Sequence, residues 1–458
     1  MNLSQLTATD IIAHLRARHF SATEVTRACL ETIDRLDSAI HAWVHVVPEI
    51  ALKQAEAADR KLASGRTGML CGVRIGIKDI FNTTDMPTQM GSPIWKDFTP
   101  GNDARVVHYL RMADAVLLGK TVTAEFAVHA PGPTRNPHNL EHSPGTSSSG
   151  SAASTASYMV PLALGTQTAG SIIRPASYCG VYGFKPSFGL LPRTGMLKTT
   201  DSLDTVGVFS RSVEDLALLF DVIRVRGSDY PISHAHLNDP ARQSKGRRPW
   251  RIGLLQGPKW KYAEGYAQRA IQEFGRSLAN VPEIEIEAVA LPQSFQSAHE
   301  IHATIYDRAL AYYFKEEFVA QTLVSSIMYE IVQRGNRLTL DQYKAALDAQ
   351  NLLARQLDQV FADHFDVIVD LSTGGEALKG LDSIDRLDNC LIWTLCGVPT
   401  INLPVFTGPN RLPFGAQILA RRYNDYLLLD FARHLYAHGV IGNGTNPVLS
   451  HLLAGHIA

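Results

Sequence analysis

The apolar positions of this chain follow two rhythms. Ser21-Ala-Thr-Glu24 has the spacing of a capping box, and Val25, Cys29, Ile33 and Leu36 then recur three or four residues apart. The spacing predicts a helix, and residues 51–62 predict a second, stopped by Gly65. The rhythm changes at Val73, Ile75 and Ile77, which alternate as in a strand and lead into Lys78. Residues 104–112 return to helical spacing, and residues 115–120 make a short buried strand. Later strands are expected at 251–255, 284–291 and 366–370, with a mainly helical stretch over 295–364. Strands alternating with helices predict an α/β fold.

One segment breaks both rhythms. Two loops built almost wholly of Gly, Ser and Thr, 145–151 and 165–171, flank an apolar stretch containing Val160, Leu162 and Leu164. Small residues let the backbone pass close to a ligand. Residues 151–158, small throughout, suit a helix packed tightly on its neighbours. Taken singly, either loop could be a linker, a phosphate cradle or a tight connection. The adjoining strand signals argue against a linker, and Gly150-Ser151 lacks the lysine of a phosphate-binding loop. Lys78 alone reads as a surface lysine at a strand end.

Composition narrows the function. The 458 residues carry a formal net charge of −1, so no global field favours nucleic acid or an anionic membrane. The five cysteines form no CxxC pair, and the seventeen histidines show no HExxH spacing, so neither a metal site nor any other cofactor is expected. The N-terminal residues lack the pattern of a signal peptide, and no apolar run is long enough to span a bilayer, so a cytoplasmic location is expected.

The motifs, taken together, resemble the amidase signature family. That pattern has a lysine at a PxGxKD-like strand end, then GGSS-G-S, then GTDTGGSIR-P and CG-GFKP. This chain has Ile75-Gly-Ile-Lys78-Asp79, then Gly145-Thr-Ser147-Ser148-Ser-Gly-Ser151, then Gly165-Thr-Gln-Thr-Ala-Gly-Ser171, and Cys179-Gly-Val-Tyr-Gly-Phe-Lys-Pro186. Similar segments follow at 201–215, 397–404 and 412–417, so the likeness spans nearly the whole chain and is weakest over about 225–370.

The resemblance implies a mixed β-sheet core covered on both faces by α-helices, forming a single domain over 1–458. Within it, 227–250 reads as an exposed connection, and about 251–365 as a variable region on the substrate side. It also implies a Ser–cis-Ser–Lys triad, with Ser171 as nucleophile, Ser147 as bridging serine after a cis peptide, and Lys78 as base. The backbone N–H groups of Thr168, Ala169, Gly170 and Ser171 would form the oxyanion hole, and Ser148 would help on the substrate side. The chemistry is coherent: a serine needs a base, and a buried lysine loses the charge that makes it useless as one. The implied activity is hydrolysis of a small amide through an acyl-enzyme. A glutaminase subunit of an amidotransferase complex is the alternative enzyme, and a catalytically impaired binding module the alternative of another class. A homodimer is a further expectation.

Three departures from the pattern bear on the expected chemistry. Thr146 precedes the bridging serine where glycine is usual, and Ala169 replaces a glycine two residues before the nucleophile. Arg174 follows Ser171 by three residues, not two, as in the malonamidase branch. There it would hold a substrate carboxylate such as that of malonamate, or else tie the loop to an acidic neighbour.

Overall fold

The structure, a computed structural model, describes residues 2–226, 248–381 and 385–444. Most of the connection expected at 227–250 therefore lies outside the described residues.

Eleven strands form one sheet: β1 (Trp43–Val46), β2 (Arg74–Lys78), β3 (Val116–Thr121), β4 (Leu162–Gln167), β5 (Tyr182–Lys185), β6 (Thr205–Ser210), β7 (Trp250–Leu255), β8 (Ile284–Val289), β9 (Val367–Leu371), β10 (Thr400–Thr407) and β11 (Pro413–Ala420). Their spatial order is β1-β3-β2-β4-β6-β5-β10-β11-β9-β7-β8. The sheet is mixed: β3, β2 and β4 run parallel, as do β9, β7 and β8, and antiparallel pairs join these two groups. Helices flank it, as expected.

The first expected helix begins at its capping box, while the second starts at Pro48, three residues before the expected 51. Ser21 caps Ala22–Ile40 in a reciprocal box with Glu24, and Gly65, at φ 71°, ends Pro48–Ser64. Strand β1 was not anticipated. Its four residues are too few to show alternation between two long helices.

Strand β2 places the site. All five of its residues are buried, Arg74 and Lys78 included, as in an inner parallel strand that is paired on both edges and covered on both faces. Lys78 stands at its carboxyl end, beside the carboxyl end of β4, where open α/β sheets bind ligands. Small residues keep the surroundings close. A Cβ on Gly150 would lie 2.2 Å from the Ala42 carbonyl oxygen, so the fully buried helix Ser149–Ala156 presses directly on the chain just before β1.

The long insertion between β8 and β9 is helical, as its pattern predicts: Ala298–Tyr313, Ser326–Arg337 and Leu340–Asp363. Tyr306, Leu310, Phe314 and Met328 pack there against Phe126 and Val128 of the segment after β3. Among the described residues, no helix is long and apolar enough to cross a membrane.

Candidate active site

Lys78 is completely buried, and its Nζ lies 2.8 Å from Ser147 Oγ and 2.9 Å from Thr166 Oγ1. No carboxylate pairs with it among the described residues. Burial therefore holds its pKa well below the ordinary lysine value, against a weaker opposing pull from Asp204. The peptide between Thr146 and Ser147 is cis, and the Ser147 carbonyl accepts from Ala124 N at 3.1 Å.

Ser171 ends the loop that leaves β4 and is 7 % exposed. Its Oγ has no hydrogen-bond partner among the described residues, so the contact expected between Ser147 and Ser171 is not formed, whereas that between Lys78 and Ser147 is. The N–H groups of Ala169, Gly170 and Ser171 likewise donate to no acceptor among the described residues. Buried N–H groups are almost always paired, so three free ones in succession beside a serine leave donors open to an incoming acceptor. Thr168 is held on both sides. Its hydroxyl donates to Asp204 at 2.8 Å, and its carbonyl accepts from His302 Nε2 at 2.9 Å. Burial lowers the His302 pKa to about 4, so the ring is neutral, with its proton on Nε2.

Ser148, expected on the substrate side, is fully buried and occupied with β4. Its Oγ donates to the Thr166 carbonyl at 3.1 Å and accepts from Thr166 N at 3.3 Å. It ties the two small-residue loops together. Asp79 is also buried, 3.3 Å from Lys120 Nζ. Burial lowers the Lys120 pKa to about 8, with Asp79 opposing.

Arg174 does not stand open to a substrate. Its Nε donates to Asp388 at 2.8 Å and its Nη1 to Asp385 at 3.2 Å, with the guanidinium buried. Burial disfavours the charge, but Asp388 and Asp385 outweigh it and push the pKa well above the ordinary arginine value. The carboxylate anticipated from a substrate is thus supplied twice by the chain itself. Thr146 joins this cluster: its N–H and Oγ1 donate to Asp385 at 3.1 and 2.6 Å. The departure from glycine at 146 therefore has a partner.

Sequence reasoning passed over Thr166, Gln167, His302, Asp385, Asp388 and Thr394. Gln167 carried a signal, because it stands where the motif has aspartate. Thr166 lies in the same motif and matches it, so nothing singled it out, and the others lie far along the chain. Among the described residues, no group of His, Cys, Asp and Glu could hold a metal ion, and all five cysteines are buried free thiols.

Known proteins share this arrangement of chain. A glutamyl-tRNA(Gln) amidotransferase subunit of Streptomyces avermitilis is 33% identical over 484 residues, covering 93% of each chain. The corresponding subunit of Geobacter sp. is 38% identical over 307 residues, covering 64% of this chain and 62% of its own. Among solved structures, the peptide amidase of Stenotrophomonas maltophilia superimposes with a TM-score of 0.82 at 28% identity, covering 97% of this chain and 98% of its own. A 6-aminohexanoate cyclic dimer hydrolase, solved with its substrate, gives a TM-score of 0.81 at 25% identity, covering 96% and 98%. The amidase family model matches residues 24–429, a span that holds the buried lysine, the cis-linked serine and the loop of free N–H groups. On these grounds the chain is an amide-hydrolysing enzyme and belongs to the amidase signature family.

Proposed function

We propose that this chain hydrolyses amides through an acyl-enzyme on Ser171, with Lys78 as base and Ser147 as relay. The observation that carries the reading is the state of Lys78: buried, free of any carboxylate among the described residues, and in contact with two hydroxyls. A free amine has a lone pair. It takes the Ser147 proton while Ser147 takes that of Ser171, whose Oγ attacks the amide carbon. The N–H groups of Ala169, Gly170 and Ser171, with Thr168 completing the loop, receive the negative charge that develops on the oxygen. Returning the proton through the same relay to the departing nitrogen releases ammonia or an amine, and water then cleaves the ester.

With Arg174 engaged by two carboxylates, neutral amides fit this site better than carboxylate-bearing ones such as malonamate. A second reading, the glutaminase subunit of an amidotransferase, is favoured by relatives that are themselves amidotransferase subunits. One experiment separates the two. Ammonia release is measured from glutamine, malonamate and neutral alkyl and aryl amides, alongside labelling of Ser171 by a fluorophosphonate. Turnover of free amides by the isolated chain supports the first reading. Turnover of glutamine alone, and only with added amidotransferase subunits, supports the second. No labelling and no turnover would overturn both.

A further inference from the structure

The nucleophile loop is gripped from both sides by one neutral side chain. Gln167, fully buried at the end of β4, accepts with Oε1 from Ile172 N at 2.8 Å and from Ile173 N at 3.0 Å. Its Nε2 donates to Thr394 Oγ1 at 2.9 Å. Thr394, also fully buried, donates in turn to the Ala169 carbonyl at 2.7 Å, with a longer alternative of 3.3 Å to the Cys390 carbonyl. Oε1 faces two donors, so the amide can sit only one way round. Every proton in the chain then has a direction: Nε2–H to Thr394, and O–H to Ala169.

The contacts bracket the reactive atoms. Ala169 lies two residues before Ser171, and Ile172 and Ile173 lie one and two after it. The free N–H groups of Ala169, Gly170 and Ser171 fall inside the bracket. A carboxylate at 167 would accept from the helix N–H groups equally well but could not donate to Thr394, whose single proton would then serve only one of two acceptors. An apolar residue would grip neither side.

We infer that Gln167 and Thr394 are positioning residues that form a directional clamp, fixing the oxyanion-hole peptides through the Ala169 carbonyl. The inference rests on the hydrolase reading above and adds to it a pair of groups that never touch the substrate. Oxyanion-hole bonds tighten in the transition state, so loosening the clamp lowers kcat and leaves KM nearly alone.

The test uses the full chain and counts active sites by fluorophosphonate titration, so that misfolded protein drops out. Thr394→Val removes the hydroxyl and keeps the shape. It is expected to lower kcat per titrated site by up to about 100-fold, the scale of a ~1 Å misplacement and below the roughly 10²–10³ of a donor lost outright, with KM within about threefold. Thr394→Ser restores the hydroxyl and should recover most of that loss. Gln167→Met should fall as far as Thr394→Val, and the double variant should be at least about threefold more active than the product of the two losses, because both cut one chain. A kcat per titrated site that stays at the wild-type value in Thr394→Val and Gln167→Met, or losses that simply multiply, would overturn the clamp alone. A wild type that is neither labelled nor active would sink the hydrolase reading, and the clamp's role with it.

Discussion

Two buried cations stand within one site and behave in opposite ways. Among the described residues Lys78, at the end of β2, meets only the hydroxyls of Ser147 and Thr166, and burial drives its pKa down, favouring the free amine. Arg174, one turn into the segment after Ser171, meets Asp385 and Asp388 and is locked in its charged form. Lys120, with Asp79 at 3.3 Å and three oxygen acceptors besides, falls between them at about 8. Burial is common to all three. Across these three, the neighbouring carboxylates set how far the charged form is held against burial.

The largest expected effects come from removing the reactive groups. Ser171→Ala should abolish turnover and labelling, and Lys78→Met should cost several decades in kcat, since positioned base catalysis alone contributes about 10²–10⁴-fold. Steady-state rates and burst titration would check both, and substantial turnover in Lys78→Met would put the base elsewhere.

Arg174→Leu attacks the other side of the contrast. It leaves two buried carboxylates without their cation, which typically costs about 3–5 kcal/mol of stability. Denaturant unfolding should show that loss, and kcat/KM should fall alike for neutral and carboxylate-bearing amides. A loss confined to the carboxylate-bearing ones would return Arg174 to the substrate.

The pH profile sharpens the Lys78 side. Only the free amine is a base, so kcat/KM should rise with pH as one proton leaves, then level off well below ~10.4, the ordinary lysine value. A limb near that value would mean that Lys78 is solvated. The smallest effect belongs to Thr146→Val, which removes the hydroxyl bond to Asp385. A hydrogen bond to a charged group is worth about 1.5–3 kcal/mol, and part should remain because the Thr146 N–H still donates to Asp385. In an Arg174→Leu background the same change should cost a different amount, because the two residues share one carboxylate.

Lys78, Ser147 and Ser171 were legible because each lies inside a short motif. The strand pattern up to Lys78 and the loops 145–151 and 165–171 could be read locally, and the sheet then brings their ends together. What was illegible needed partners from far along the chain. The choice between substrate and strut for Arg174 turns on Asp385 and Asp388, which are 211 and 214 residues away, in a stretch with no periodicity to place it. The same distance hid Thr394 from Gln167, 227 residues apart. Local pattern reports which groups a loop presents, and the fold decides whether they are left free.

The helical insertion between β8 and β9 meets the rest of the molecule in two ways: through side chains, as where Ser325 donates to Glu125 and Tyr313 to Asp201, and through main-chain acceptors. His302 donates to the Thr168 carbonyl, and Gln350 donates to those of Ser202 and Leu395. A carbonyl oxygen is present whatever residue carries it. Where it rests on carbonyls, a new wall could be fitted without matching changes in the loops beneath, provided that its donors arrive at the same places, whereas Glu125, Asp201, Phe126 and Val128 would have to be matched. That makes the insertion the natural segment to exchange when the enzyme's choice of amide is to be altered while its chemistry is kept.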